Sequence, residues 1–233
     1  MPYYYYGFDP TYFLVIIGAV ICMIASARVK STYNKYSQYR SASGMTGAQA
    51  AQRILNSAGI YDVTIQHVSG NLTDHYNPSA KTLNLSDSVY NSTSVAAVGV
   101  AAHECGHAIQ HAIGYAPLEF RSAIVPVANF GSTLSWPLFL IGLFSGIRPL
   151  VTAGIVLFSL AVLFQLVTLP VEINASSRAL KMLQSTGILG SDETKGARKV
   201  LTAAAMTYVA ALAASILQLL RLLILAGGRR RDD

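Results

Sequence analysis

A mainly α-helical, multi-pass membrane architecture with a small α+β part is what the sequence predicts, and three observations predict it. Of the 233 residues, 52% are hydrophobic and 12% charged, and the mean hydropathy is +0.42, too apolar for an ordinary soluble domain. Four runs, about Thr11–Ala27, Ile124–Ile147, Pro149–Val171 and Leu201–Ala226, are long and apolar enough to cross a hydrocarbon core about 30 Å thick, which takes about 20 helical residues. The polar remainder, about Arg28–Arg121 and Glu172–Lys199, contains strand, turn and helix signals.

The first run is followed by Ala25-Ser26-Ala27, which resembles a signal-peptidase site. Against cleavage, the leading MPYYYYGFDP has no Lys or Arg, while Arg28, Lys30, Lys35 and Arg40 follow the run. That charge order predicts a retained anchor over residues 1–27, with the four tyrosines as an aromatic belt at the interface.

Residues 28–121 form a second segment. Thr46 is placed to cap a helix running to about Ala58, with Gly59 as its stop. YDVTIQHV (61–68) reads as a strand, NPSAK as a turn and TLNLS (82–86) as an edge strand. Ser92 or Thr93 then starts a helix that Gly114, with Pro117 beyond it, ends. An exposed strand edge suits the binding of extended peptides through main-chain hydrogen bonds. Residues 122–171 follow as a transmembrane hairpin turning at about Gly146–Pro149, then a polar segment 172–200, then a C-terminal helix 201–233, wholly or partly in the membrane. Cys22 and Cys105 lie inside predicted helices, so no disulfide framework is implied, and the sequons at Asn71, Asn84, Asn91 and Asn174 carry no weight.

Chemistry concentrates in VAAHECGHAIQHAIG (100–114), which holds three of the five histidines. On an ideal helix His103 and His107 sit about 40° apart and one turn along, so both imidazoles can meet one ion. Glu104, about 100° round from His103, falls beside such an ion, where a general base takes a proton from metal-activated water. Zinc is the natural ion for imidazole plus carboxylate. The surrounding Val98, Val100, Ala101, Ala102, Ala108 and Ile109 make an apolar helix in which this pattern is costly to bury without a metal or partners.

A third ligand has two candidates. His111 stands about 12 Å along the axis from His103, too far to share one ion on an unbroken helix. Glu172, in LPVEINASSRAL (169–180), ends the third apolar run. The tight hairpin of runs two and three returns the chain to the membrane face it left, so Glu172 and His107 share a face. Glu172, Ala175, Ser176 and Ala179 also share a helical face, whose small residues allow close approach to the histidine helix.

Together HECGHAIQH, DHYNPSAKTLNLSDSVY, LPVEINASSRAL and TYVAALAASILQLLRLL resemble the YugP-type neutral zinc metallopeptidases of bacterial membranes, over nearly the whole chain. More distantly the chain is similar to the HtpX-type membrane peptidases, in which a glutamate in Glu-x-x-Ala-Asp completes the His-Glu-x-x-His site. The counterpart is Glu172-Ile173-Asn174-Ala175-Ser176, with Ser176 where that relative has Asp. The resemblance implies a gluzincin-like zinc endopeptidase with His103, His107 and Glu172 as ligands and Glu104 as base. It implies a zincin-like catalytic part, an edge strand plus the HExxH helix, acting on protein or peptide substrates. Tyr208 or Arg178 is left as the donor to the transition state.

Of the 17 Lys and Arg, twelve between Arg28 and Lys199 lie on the face bearing the histidines, Arg148 with Arg229, Arg230 and Arg231 on the other, and Arg221 within the last apolar run. The positive-inside rule therefore expects the catalytic face in the cytoplasm, although a fourth span strands three arginines outside. A net charge of +6 spread around membrane ends, without a nucleic-acid module, points to anionic lipid and not to nucleic acid. The rival functions are a catalytically inactive zinc-binding scaffold, which has no need of Glu104, and a transporter, which the scarcity of charges inside the spans disfavours.

Overall fold

Two helices, three strands and four further helices follow one another in the computed structural model, which describes residues 9–228; the tyrosines of residues 3–6 and the arginines of 229–231 lie outside them. The elements are α1 (Tyr12–Ser37), α2 (Gly47–Ser57), β1 (Thr64–Val68), β2 (His75–Asn77), β3 (Thr82–Ser86), α3 (Val95–Ala112), α4 (Ala116–Ser145), α5 (Arg148–Ser185) and α6 (Ser191–Gly228). They fall into two compact units, one of residues 25–123 and 167–208, the other of 9–24, 124–166 and 209–228.

In the first unit the local signals act as the sequence suggests. Thr46 caps α2 by accepting from Gln49 N while the Gln49 side chain accepts from Thr46 N, and Gly59 stops the helix at φ +73°. Asn77 Oδ1 accepts from Ser79 N and Ala80 N to close the NPSAK turn. A short strand the sequence reading passed over, β2, pairs antiparallel with β3, and β1 pairs parallel with β3. TLNLS is therefore the middle strand and β2 an edge, because Asp74 fastens the chain before β2 to the end of β3 by accepting from Ser86 N and Oγ. A three-residue strand gives too little alternation to read from sequence.

The histidine helix α3 starts one or two residues later than expected. Ser94 Oγ accepts from Ala97 N and forms the cap, while Ser92 Oγ braces Ser94. Pro117 opens α4, where its missing N–H costs nothing. Ala50, Ala51, Ile54 and Leu55 of α2, Leu83 and Leu85 of β3, and Val98, Ala101, Ala102 and Cys105 of α3 form a buried core with Ala179 and Leu183 of α5. Full burial pushes the Cys105 thiol well above its ordinary pKa, which keeps it inert.

In the other unit, α4 and α5 make the expected hairpin, turning at Gly146 (φ +76°), and so close that a Cβ on Gly142 would lie 2.6 Å from Val151 N. Four helices are long and apolar enough to cross a membrane, yet only 6 to 22% of their most apolar windows is buried inside the protein. Phe13, Ile16, Val20, Met23 and Ile24 of α1 face outward, a surface that lipid and not water would cover. Buried Arg221 of α6 donates from Nε to Thr11 Oγ1 (3.2 Å), lies 3.7 Å from Asp9 and covers the Tyr12 ring at 4.1 Å. The last turns of α6 thus lie level with the start of α1.

Candidate metal centre

Two helices supply the cluster. His103 and His107 stand one turn apart on α3, their rings 4.8 Å apart and nearly perpendicular. Glu172 comes from α5, which runs unbroken through Pro170, so Glu172 belongs to the same helix as the third apolar run. Its Oε2 lies 3.3 Å from His103 Nε2 and 3.5 Å from His107 Nε2, and the three residues form a group that could hold a metal ion.

Close approach of α3 and α5 depends on Gly106, where a Cβ would sit 2.4 Å from the Ala175 carbonyl oxygen. Ala175 and Ala179 are fully buried beside it, as the small-residue face of α5 predicts. Gly106→Ala should force the helices apart, lower stability by about 1–3 kcal/mol and weaken metal binding with it. Thermal unfolding and metal titration of the purified variant check this; an unchanged melting midpoint would show that the helices tolerate a methyl there.

The other ring nitrogens are held from behind. Gln110 Nε2 donates to Val171 O (2.9 Å) and Asn174 Oδ1 (3.0 Å); since a carbonyl only accepts, Gln110 Oε1 must face His107 Nδ1, 3.0 Å away. His107 Nδ1 is therefore the donor, and in the neutral ring Nε2 carries a lone pair. His103 Nδ1 lies 3.1 Å from Ser176 Oγ, so Ser176 fills the supporting position despite its departure from Asp. Glu172 Oε2, buried, receives no hydrogen bond. A lone pair facing a bare carboxylate oxygen is repulsive, and a metal ion between them, or a proton on the imidazole, removes the conflict. Burial pulls His107 towards its neutral form, but the Glu172 and Glu104 carboxylates outweigh it, so the pKa is raised and the pocket favours positive charge.

Glu104, buried, lines a cavity of about 750 Å³ together with His103, Glu172, Ser176, Asp74 and Tyr208. Arg178 instead donates to Asn174 Oδ1 at 2.7 Å and lies over the Tyr115 ring. His111, outside the cluster, bonds Tyr76 Oη at 2.8 Å. Three contributors went unread in the sequence: Gln110, Asn174 and Arg121, whose guanidinium lies 3.7 Å from Glu172 Oε1. Gln110 follows His107 by three positions on one helical face, a signal that was available; Arg121 shows no such spacing.

A mainly helical membrane protein with four candidate spans, a small sheet and a buried two-imidazole, one-carboxylate cluster is the class that fold and site define. Residues 11–227 match the family described as "Putative neutral zinc metallopeptidase", and the chain belongs to that family. It is similar to the "Putative membrane protease YugP" of Bacillus subtilis (strain 168), with 48% identity over 218 residues, 93% of this chain and 97% of the relative. No solved structure matches the chain.

Proposed function

We propose that the protein is a zinc-dependent endopeptidase that hydrolyses peptide bonds of membrane or membrane-proximal proteins, with His103, His107 and Glu172 holding the metal and Glu104 as general base. The bare, buried Glu172 Oε2 between two imidazole Nε2 atoms is the observation that carries this reading. Zinc there would supply Lewis acidity and lower the pKa of a water to about 7. Glu104 takes the proton from that water and returns it to the departing amine nitrogen. Gln110 and Ser176 keep the rings aimed, and Arg121 balances the charge of Glu172. Tyr208 lines the same cavity, which supports it as the donor to the peptide carbonyl oxygen as charge develops there. The edge strand β2 offers main-chain groups to an extended substrate.

The test is metal analysis and proteolysis on one preparation. About one zinc per chain is expected, with cleavage of an unfolded test protein that a chelator stops and zinc restores. Protein that holds zinc yet cleaves nothing in a broad substrate panel would establish the scaffold instead.

We further place the histidine-bearing segments in the cytoplasm, on the distribution of Lys and Arg. Tyr61 is 78% exposed, so Tyr61→Cys should escape an impermeant thiol reagent in intact cells. The pairing of Arg221 with Asp9 favours a last helix that spans, so a cysteine appended after residue 233 should label from outside. Ready labelling at position 61 would reverse the orientation.

A further inference from the structure

Helices α1 and α6 line a second cavity, of about 500 Å³. Its wall carries four cations, Arg28 and Lys35 from α1 and Arg198 and Lys199 from α6, and no carboxylate. Positions 28 and 35 lie two turns apart on one face of α1, while 198 and 199 stand one turn before Thr202 on α6. All four are exposed, and none forms an ion pair among the described residues. The acids nearest in sequence are engaged elsewhere: Asp192 with Lys195, and Glu193 as acceptor from Ala42 N and Gly190 N.

Four like charges around one concavity repel one another, and an anion bound there relieves the repulsion. The hydroxyls of Thr32 and Thr202 in the same wall add neutral donors, and cations with hydroxyls together match the oxygens of a phosphate. Position selects the source of that phosphate. Arg28 and Lys35 follow the apolar run of α1 that ends near Ala27, and Arg198 and Lys199 precede the run of α6 that begins near Leu201. That is the level at which a chain leaves hydrocarbon for headgroups. Ala203 and Met206 continue the wall with apolar surface, which free phosphate does not need and a lipid's glycerol and acyl portion does.

We propose that this cavity binds the phosphate of an anionic phospholipid headgroup. The full-length protein is purified in neutral detergent, and native mass spectrometry measures its affinity for phosphatidylglycerol and phosphatidylcholine. Phosphatidylglycerol should bind at least about ten-fold more tightly. At about five-fold per basic residue, Arg28→Gln/Arg198→Gln should weaken phosphatidylglycerol about 25-fold. Lys35→Gln/Lys199→Gln should do the same, which guards against a folding defect in either pair. Arg40→Gln/Lys181→Gln removes as much charge away from the cavity and should stay within about three-fold of wild type. Equal affinity for the two lipids, or equal loss in the control pair, overturns the proposal. Displacement of phosphatidylglycerol by millimolar inorganic phosphate assigns the cavity to a soluble phosphate and overturns the lipid source.

Discussion

Glu104→Gln should keep its zinc, its fold and its place in the membrane while cleaving a test protein at near-background rate. The amide is nearly isosteric with the carboxylate, and Glu104 projects about 100° round α3 from His103, so the proposed ligands are untouched. The amide cannot accept a proton at neutral pH. Loss of a general base costs about 10²- to 10⁴-fold in rate, and more where the same group also protonates the leaving amine. Zinc content, melting midpoint and cleavage are read on the same preparation. A variant that cleaves at the wild-type rate would remove Glu104 from the mechanism; one that loses zinc as well would make it a ligand.

His103→Ala, His107→Ala and Glu172→Ala should each lose most of the bound metal, and with it all cleavage. A three-ligand site deprived of one ligand rarely binds tightly, whereas loss of a supporting hydrogen bond costs only about 10- to 100-fold in affinity. Gln110→Ala and Ser176→Ala therefore belong to the milder class, since they touch the Nδ1 atoms and leave all three proposed ligands in place. His111→Ala should retain full zinc, because its ring bonds Tyr76 away from the cluster. Zinc retained in Glu172→Ala but lost in His111→Ala would overturn the assignment. Glu172→Ala also leaves the half-buried Arg121 without its carboxylate, so its stability should fall even in metal-free protein.

Much of the local structure was legible because it depends on neighbours in sequence. The α2 cap was readable as Thr46 with a glycine stop, the turn before β3 as NPSAK, and the histidine pair as one face of a helix, since each rests on bonds spanning a few residues. Boundaries were less so. Three adjacent hydroxyl residues, Ser92 to Ser94, compete for the cap of α3, and only the geometry of Ala97 N chooses Ser94. Strand β2 escaped notice because its three residues are held by Asp74 and by β3, partners that no periodicity reveals.

The sequence alone determined the four apolar helices, the His-Glu-x-x-His register and the small-residue face of α5, because hydropathy and helical period are properties of consecutive residues. It reached Glu172 through hairpin topology, the small-residue face around it and the family resemblance. Tertiary structure decided how near that carboxylate comes, through the absence of a side chain at Gly106. It also decided which nitrogen of His107 carries the proton, since Gln110 is oriented by a carbonyl 61 residues away. The gathering of Arg28, Lys35, Arg198 and Lys199 about one cavity likewise required α1 and α6 to pack together. Such contacts join residues far apart in the chain, and their distances follow from how side chains fill space, which no local pattern encodes.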